Sequence, residues 1–146
     1  NNGINSRLDE IHAAFLIESL KSYNKKLILK NKIASFYQRN LNSYFSFFKK
    51  DNGINNSYHL LVVKVNHRKE LILYMKKFGI ILGIHYKVPC HKNGLLSEYK
   101  RFKLSNTNQI SNKIVSLPMF SELDTKELKF IVDKLNLFGE KKFKND

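Results

Sequence analysis

YHLLVVKVNHRKELILYMKKFGIILGIHY, residues 58–86, changes its apolar period twice, and that change decides the fold class. The opening YHLLVVKV is rich in β-branched residues and short enough for a buried strand. RKELILYMKKFG then spaces its apolar residues as a helix does and stops at Gly79, whose missing Cβ suits the left-handed turn after a helix. IILGIHY, residues 80–86, reads as a second strand interrupted at Gly83. A strand, a helix and a strand in so short a span make a mixed sheet-and-helix fold.

Towards the amino terminus the pattern is helical. Ser6 is placed to cap a helix with Asp9 at the third helical position, and Leu8, Ile11, Phe15 and Leu16 share one face. Residues 21–26 are charged and turn-tolerant and predict a bend. Leu29, Ile33, Phe36, Tyr37, Leu41 and Tyr44 then carry the helical spacing on to the polar KKDNGINNS loop, residues 49–57. Towards the carboxy terminus KIVSLPM, residues 113–119, is a third short strand that Pro118 must end. A last helix follows from Asp124, with Glu127 completing a capping box and Leu128, Ile131, Val132, Leu135 and Phe138 forming its buried stripe before Gly139. The expected fold class is α+β: a long amino-terminal helix and a three-stranded, mostly antiparallel sheet with helices on one face. No repeat or linker divides the 146 residues, so they are read as a single domain.

Apolar residues make up 42% and aromatic residues 12%, which excludes a disordered polyelectrolyte despite a formal charge of +14. No apolar run nears the roughly 20 residues needed to span a bilayer, so a cytoplasmic, membrane-free protein is expected. The single cysteine, Cys90, excludes an internal disulfide and fits a reducing compartment. Excess positive charge attracts polyanions, nucleic acid included. Only Arg7, Arg39, Arg68 and Arg101 are Arg, however, and no nucleic-acid recognition motif accompanies the charge. Most of the Lys is therefore read as solvated surface, with a basic nucleic-acid-binding module as the alternative.

Two places could carry chemistry. GIHYKVPCHKNG, residues 83–94, sets His85, Tyr86, Cys90 and His91 at a strand end and in the loop after it, where side chains commonly meet ligands. A strand's period of two sends His85 and Tyr86 to opposite faces. Adjacent Cys90 and His91 rarely attain nucleophile and base geometry, and the spacing matches no usual zinc pattern, so no metal is expected. The second place is the helix entrance. Arg7 in a first helical turn opposes the helix dipole at a cost of up to about 1 kcal/mol. Asn5 and Arg7 would lie beside outward NH groups suited to phosphate or carboxylate; an ordinary cap with a solvated Arg is the plain alternative.

Four of these segments, in order, resemble the DegT/DnrJ/StrS sugar aminotransferases. GINSRLDEIHAAF resembles that family's G-x-N-x-R-x-D-x-x-Q-A-A helix entry and YHLLVVKV its H-L-Y-V-V strand. GIHYKVPCH resembles its G-I-H-Y-P-x-P-x-H turn and VSLPM its L-S-L-P-M strand. His12 stands where Gln is usual, and Lys87 where Pro is usual. The resemblance implies the carboxy-terminal small domain of a fold-type I enzyme dependent on pyridoxal 5'-phosphate, with residues 1–50 the helical connection from a large domain. It further implies transfer of an amino group from glutamate to a nucleotide-linked keto sugar by a homodimer. The Schiff-base Lys would lie in the large domain, so no catalytic residue is expected in this chain, which would be inactive alone. Asn5, with Arg7 beside it, would hold the cofactor phosphate of the partner subunit, and His85, Tyr86 and His91 would line the sugar-nucleotide side. A truncated interaction fragment is the remaining reading.

Overall fold

The computed structural model describes residues 6–49, 53 and 56–144. Its helices are α1 (Glu10–Lys21), α2 (Tyr23–Asn40), α3 (Arg68–Lys76), α4 (Ser105–Lys113) and α5 (Thr125–Phe143), and its strands β1 (Ser46–Phe47), β2 (Leu61–Lys64) and β3 (Ile114–Leu117). The strands form one sheet in the order β1-β2-β3, antiparallel throughout, with Leu61 opposite Leu117 and Lys64 opposite Ile114. The α+β class and the three-stranded antiparallel sheet follow the expectation.

One strand is not the one expected. Residues 80–86 touch the sheet through a single bridge, in which Gly83 and Ser116 exchange backbone hydrogen bonds of 3.1 and 2.8 Å. The third strand is instead β1, made from residues next to the end of an expected helix. Asn136 of α5 is the cause: its side chain accepts from the Asn42 backbone NH at 2.9 Å and donates to the Asn40 carbonyl at 2.8 Å. Those bonds take the chain out of the helix at Asn40 before Leu41 and Tyr44 can continue it, a tertiary demand overriding local spacing.

The core lies between the sheet and α2, α3 and α5. Leu61 and Val63 of β2 are buried while Val62 and Lys64 between them are half-buried, the alternation of a sheet with one inward face. The stripe read on α5 is real: Leu128, Ile131, Val132, Leu135 and Phe138 are all buried. Its capping box also forms, with Asp124 accepting from the Glu127 NH at 2.7 Å and Glu127 accepting from the Asp124 NH at 3.1 Å. Gly79 after α3 takes the left-handed φ of +74° expected of it.

Gly139 does not end its helix, because α5 runs on to Phe143. A Cβ there would meet Asn42 Oδ1 at 2.8 Å and Tyr44 Cβ at 3.0 Å, so glycine is required by the neighbouring chain. In an open helix Gly139→Ala would gain about 1 kcal/mol. Here overpacking of about 1–3 kcal/mol and a disturbed Asn42–Asn136 clamp outweigh it, and a net loss of about 1–2 kcal/mol is expected in a urea melt.

Tyr37 of α2 is fully buried, and its O–H donates to the Pro118 carbonyl at 3.2 Å. Burial pushes its phenol well above the ordinary tyrosine range. The unfolded phenol titrates near pH ~10, so its contribution to stability is complete below that and is lost as pH rises further. Tyr37→Phe should cost about 1 kcal/mol at pH 7 and flatten the alkaline fall in urea midpoint.

The amino-terminal reading needs correction. α1 begins at Glu10 with Asp9 in the N-cap position, and neither Asp9 nor Ser6 makes the expected capping box. Arg7 precedes the helix, so it does not oppose the dipole from a first turn. The break at Ser22 falls where a bend was expected. α1 buries none of its residues, and the face bearing Leu8, Ile11, Phe15 and Leu16 lies open, with Phe15 71% exposed. Among the described residues no helix is long and apolar enough to cross a membrane.

Candidate functional site

The Gly83–Ser116 bridge is where the site begins. The His85 ring folds back over Gly83, so that a Cβ on Gly83 would stand 2.6 Å from His85 Cε1, and its Nδ1 lies 2.8 Å from the Ser116 hydroxyl. His85 is thus tied to the sheet by a buried serine. Tyr86 is 73% exposed, with its ring edge-on to that of His85 at 5.6 Å. The expected split to opposite faces is not seen, because the segment is a turn and not a strand and the two rings meet edge-on.

Beyond Tyr86 the chain winds through two short 3-10 segments, Cys90–Lys92 and Gly94–Arg101, before α4. The Arg68 guanidinium pins α4 in place by donating to the Ser111 and Ile114 carbonyls. Between these elements lies a cleft of about 1180 Å³, walled by Tyr86, His91, Tyr99, Phe102, Ile110 and Ile114 among others. The Tyr99 and Phe102 rings are near parallel, 22° apart with centroids at 6.2 Å. His91 is only 7% exposed, and its Nε2 is buried without a hydrogen-bond partner among the described residues. A buried polar atom left so is costly unless something outside the chain satisfies it. Cys90, exposed, also lines the cleft, together with Lys87.

The structure therefore brings Tyr86 and His91 to one cavity and sets His85 behind them as an internal tie. Arg7 is exposed ahead of α1, followed by Asp9 and Glu10, and makes no ion pair among the described residues. Asn5 lies outside the described residues. Sequence reasoning missed Tyr99, Phe102 and Ser116; the three-residue spacing of the two aromatics was the available signal.

Residues 1–136 match the DegT/DnrJ/EryC1/StrS aminotransferase family. The chain belongs to that family. A dTDP-3-amino-3,6-dideoxy-alpha-D-galactopyranose transaminase of Aneurinibacillus thermoaerophilus is 30% identical over 94% of this chain and 38% of its own length. A UDP-2-acetamido-2-deoxy-3-oxo-D-glucuronate aminotransferase of Pseudomonas aeruginosa is also 30% identical, over 88% of this chain and 36% of its own. Among solved structures, a DegT DnrJ EryC1 StrS aminotransferase from Brucella abortus superposes with a TM-score of 0.83 at 26% identity, covering 94% of this chain and 37% of that one. Helicobacter pylori PseC, at 23% identity over 95% of this chain and 39% of its own, shares the fold with a TM-score of 0.80. The DegT/DnrJ/EryC1/StrS chain described here thus spans little more than a third of the length of the curated relatives it matches.

Proposed function

We propose that this chain is the carboxy-terminal small domain of a pyridoxal-phosphate-dependent nucleotide-sugar aminotransferase, with α1, and not the whole of residues 1–50, the connection to a large domain, since α2 and β1 belong to the packed domain itself. The whole protein, a cytoplasmic homodimer, would move an amino group from glutamate to a keto group of a nucleotide-linked sugar. The observation that carries this reading is the family match over residues 1–136, joined to relatives that are transaminases of dTDP- and UDP-linked sugars. The open apolar face of α1 supports it, since a face of that size on a folded domain calls for a further surface to cover it.

Pyridoxal phosphate supplies the electron sink that amino transfer requires. What the described residues offer it is limited to Arg7, whose planar fork suits a phosphate and whose guanidinium is free of ion pairs among those residues. Asp9 and Glu10 beside it repel an anion, so Arg7 alone would be a weak holder, and Asn5 is assigned the first contact with the phosphate of the partner subunit's cofactor. Tyr86 presents an exposed phenol to the sugar-nucleotide side, and the His91 side chain lines the same cleft. His85 orients Tyr86 from behind, through ring contact and the tie to Ser116.

The test is made on the whole protein. Supplied with pyridoxal phosphate and glutamate it should release 2-oxoglutarate in a single turnover, whereas the 146-residue chain should release none. Absence of 2-oxoglutarate from the whole protein would overturn the assignment. Tight RNA binding that falls steeply with salt would then favour the basic binding module.

A further inference from the structure

A second surface lies at the opposite end of β3 from the cleft. Ile114 of that strand lines the cleft, whereas Pro118, just past its other end, lines a groove of about 360 Å³ together with Phe78, Ile81, Phe120 and Phe130. The left-handed turn at Gly79 leads into a segment where Ile80 and Leu82 are buried and Ile81 between them is 82% exposed. In such an alternation the outward position ordinarily carries a polar side chain. Phe78, Phe120 and Phe130 are exposed beside it, so the apolar surface is continuous around the groove.

We propose that this face docks on the surface of an anionic phospholipid bilayer, with Ile81 and the three Phe rings entering the headgroup boundary and the neighbouring Lys meeting lipid phosphates. The lysines decide the partner. Lys134 Nζ stands 4.5 Å from the Phe78 centroid and 5.1 Å from that of Phe130, so one ammonium sits over two exposed rings. Phe78 in turn meets Tyr74 at 5.1 Å, and Lys141 Nζ stands 5.8 Å from the Tyr74 centroid. Lys77 precedes Phe78, and Lys126 lies one helical turn before Phe130. Side chains of this kind lay their stems on apolar surface and hold the ammonium outermost, the arrangement suited to a lipid interface. Three acids share the region: Glu127 accepts from the Asp124 NH in the capping box, Glu122 interacts with Lys26 and Lys30, and Asp133 is exposed next to Lys134. Cations outnumber them, as they do over the whole chain with its formal charge of +14. A second copy of the chain would set Lys against Lys. Single-stranded nucleic acid offers phosphates, and bases to stack on Phe, but no apolar medium for Ile81. Peripheral docking departs from the expected membrane-free protein without requiring a spanning helix.

The whole protein is sedimented with vesicles made of phosphatidylglycerol and phosphatidylcholine in equal parts, or of phosphatidylcholine alone. It should pellet with the first and not with the second, and raised salt should release it. Ile81→Gln should weaken the partitioning about five- to tenfold, for one Ile partly buried on docking. Lys134→Gln should weaken it about fivefold. Ile81→Trp should tighten it, a gain that damage to the fold would not produce. Because Ile81 is so exposed, its replacement leaves the core untouched. Failure to pellet with the anionic vesicles, equal pelleting with phosphatidylcholine alone, or partitioning that ignores Ile81→Gln would each overturn the proposal, the last leaving only diffuse charge open to any polyanion, RNA included. Self-association of the free protein that Ile81→Gln abolishes would overturn it too and give the face to a second copy. None of Phe78, Ile81, Phe120 and Phe130 lines the cleft, so release of 2-oxoglutarate from glutamate bears on the aminotransferase reading alone.

Discussion

Leu135→Ala is expected to lower the unfolding free energy by about 2–5 kcal/mol, the largest stability effect of any single truncation proposed here. Leu135 is fully buried on α5, the helix that touches both α2 and α3, and belongs to the same core as Tyr37, Val63, Leu71 and Val115. Truncation removes its transfer free energy and leaves a cavity where three helices and the sheet converge, a place poorly able to collapse. Domains of this kind are stable by only about 5–15 kcal/mol, so the loss would take a large share of the total. Leu137, two residues on and 43% exposed, is the control: Leu137→Ala should change stability by less than about 1 kcal/mol. Urea midpoints of the two variants measured together decide the matter, and equal losses would contradict the placement of the core.

Tyr86→Phe should lower kcat/KM for the keto-sugar nucleotide about ten- to a hundredfold in the whole protein, equivalent to ~1.4–2.8 kcal/mol of lost transition-state binding. The ring stays, and with it the edge-on contact to His85. Only the hydroxyl goes. Because that ring is 73% exposed, the substitution leaves the core untouched and the folded state intact. The glutamate half-reaction should stay within about twofold, since the phenol is assigned to the sugar side. Single-turnover measurement of each half separates the two, and an equal loss in both would remove Tyr86 from that role.

Where local chemistry decides the structure, the sequence was readable. Asp124 and Glu127 cap α5, its five-residue apolar stripe is buried, and Gly79 takes positive φ, because each depends on neighbours within a turn or two. Where a distant residue decides, it was not. Tyr44 continues a helical spacing from Phe36, Tyr37 and Leu41, yet α2 stops at Asn40 because Asn136, far along the chain, takes Asn42 and the Asn40 carbonyl. Gly139 looked like a helix stop and is instead a gap for Asn42 and Tyr44. Residues 80–86 carry strand composition but pair only at Gly83, since His85 spends its ring on Ser116 and the chain turns.

The site divides in the same way. Tyr86 and His91 could be picked out because a strand end followed by a Pro-containing loop is where ligands are met, and both do reach one cleft. That His85 would be tied inward, and that Tyr99 and Phe102 would supply aromatic walls, depends on the path of the two 3-10 segments, which no periodicity announces. Leu8, Ile11, Phe15 and Leu16 were legible as one apolar face; their openness was not, because burial depends on what else is present.

A density map of the whole protein with pyridoxal phosphate bound tests the central claim most directly. The account predicts the α1 face covered by protein, Asn5 and Arg7 turned towards a cofactor phosphate held by the partner subunit, and Tyr86 and His91 on the sugar-nucleotide side of the same cleft. A map in which that face meets bulk water and the His91 cavity opens away from the cofactor would contradict it.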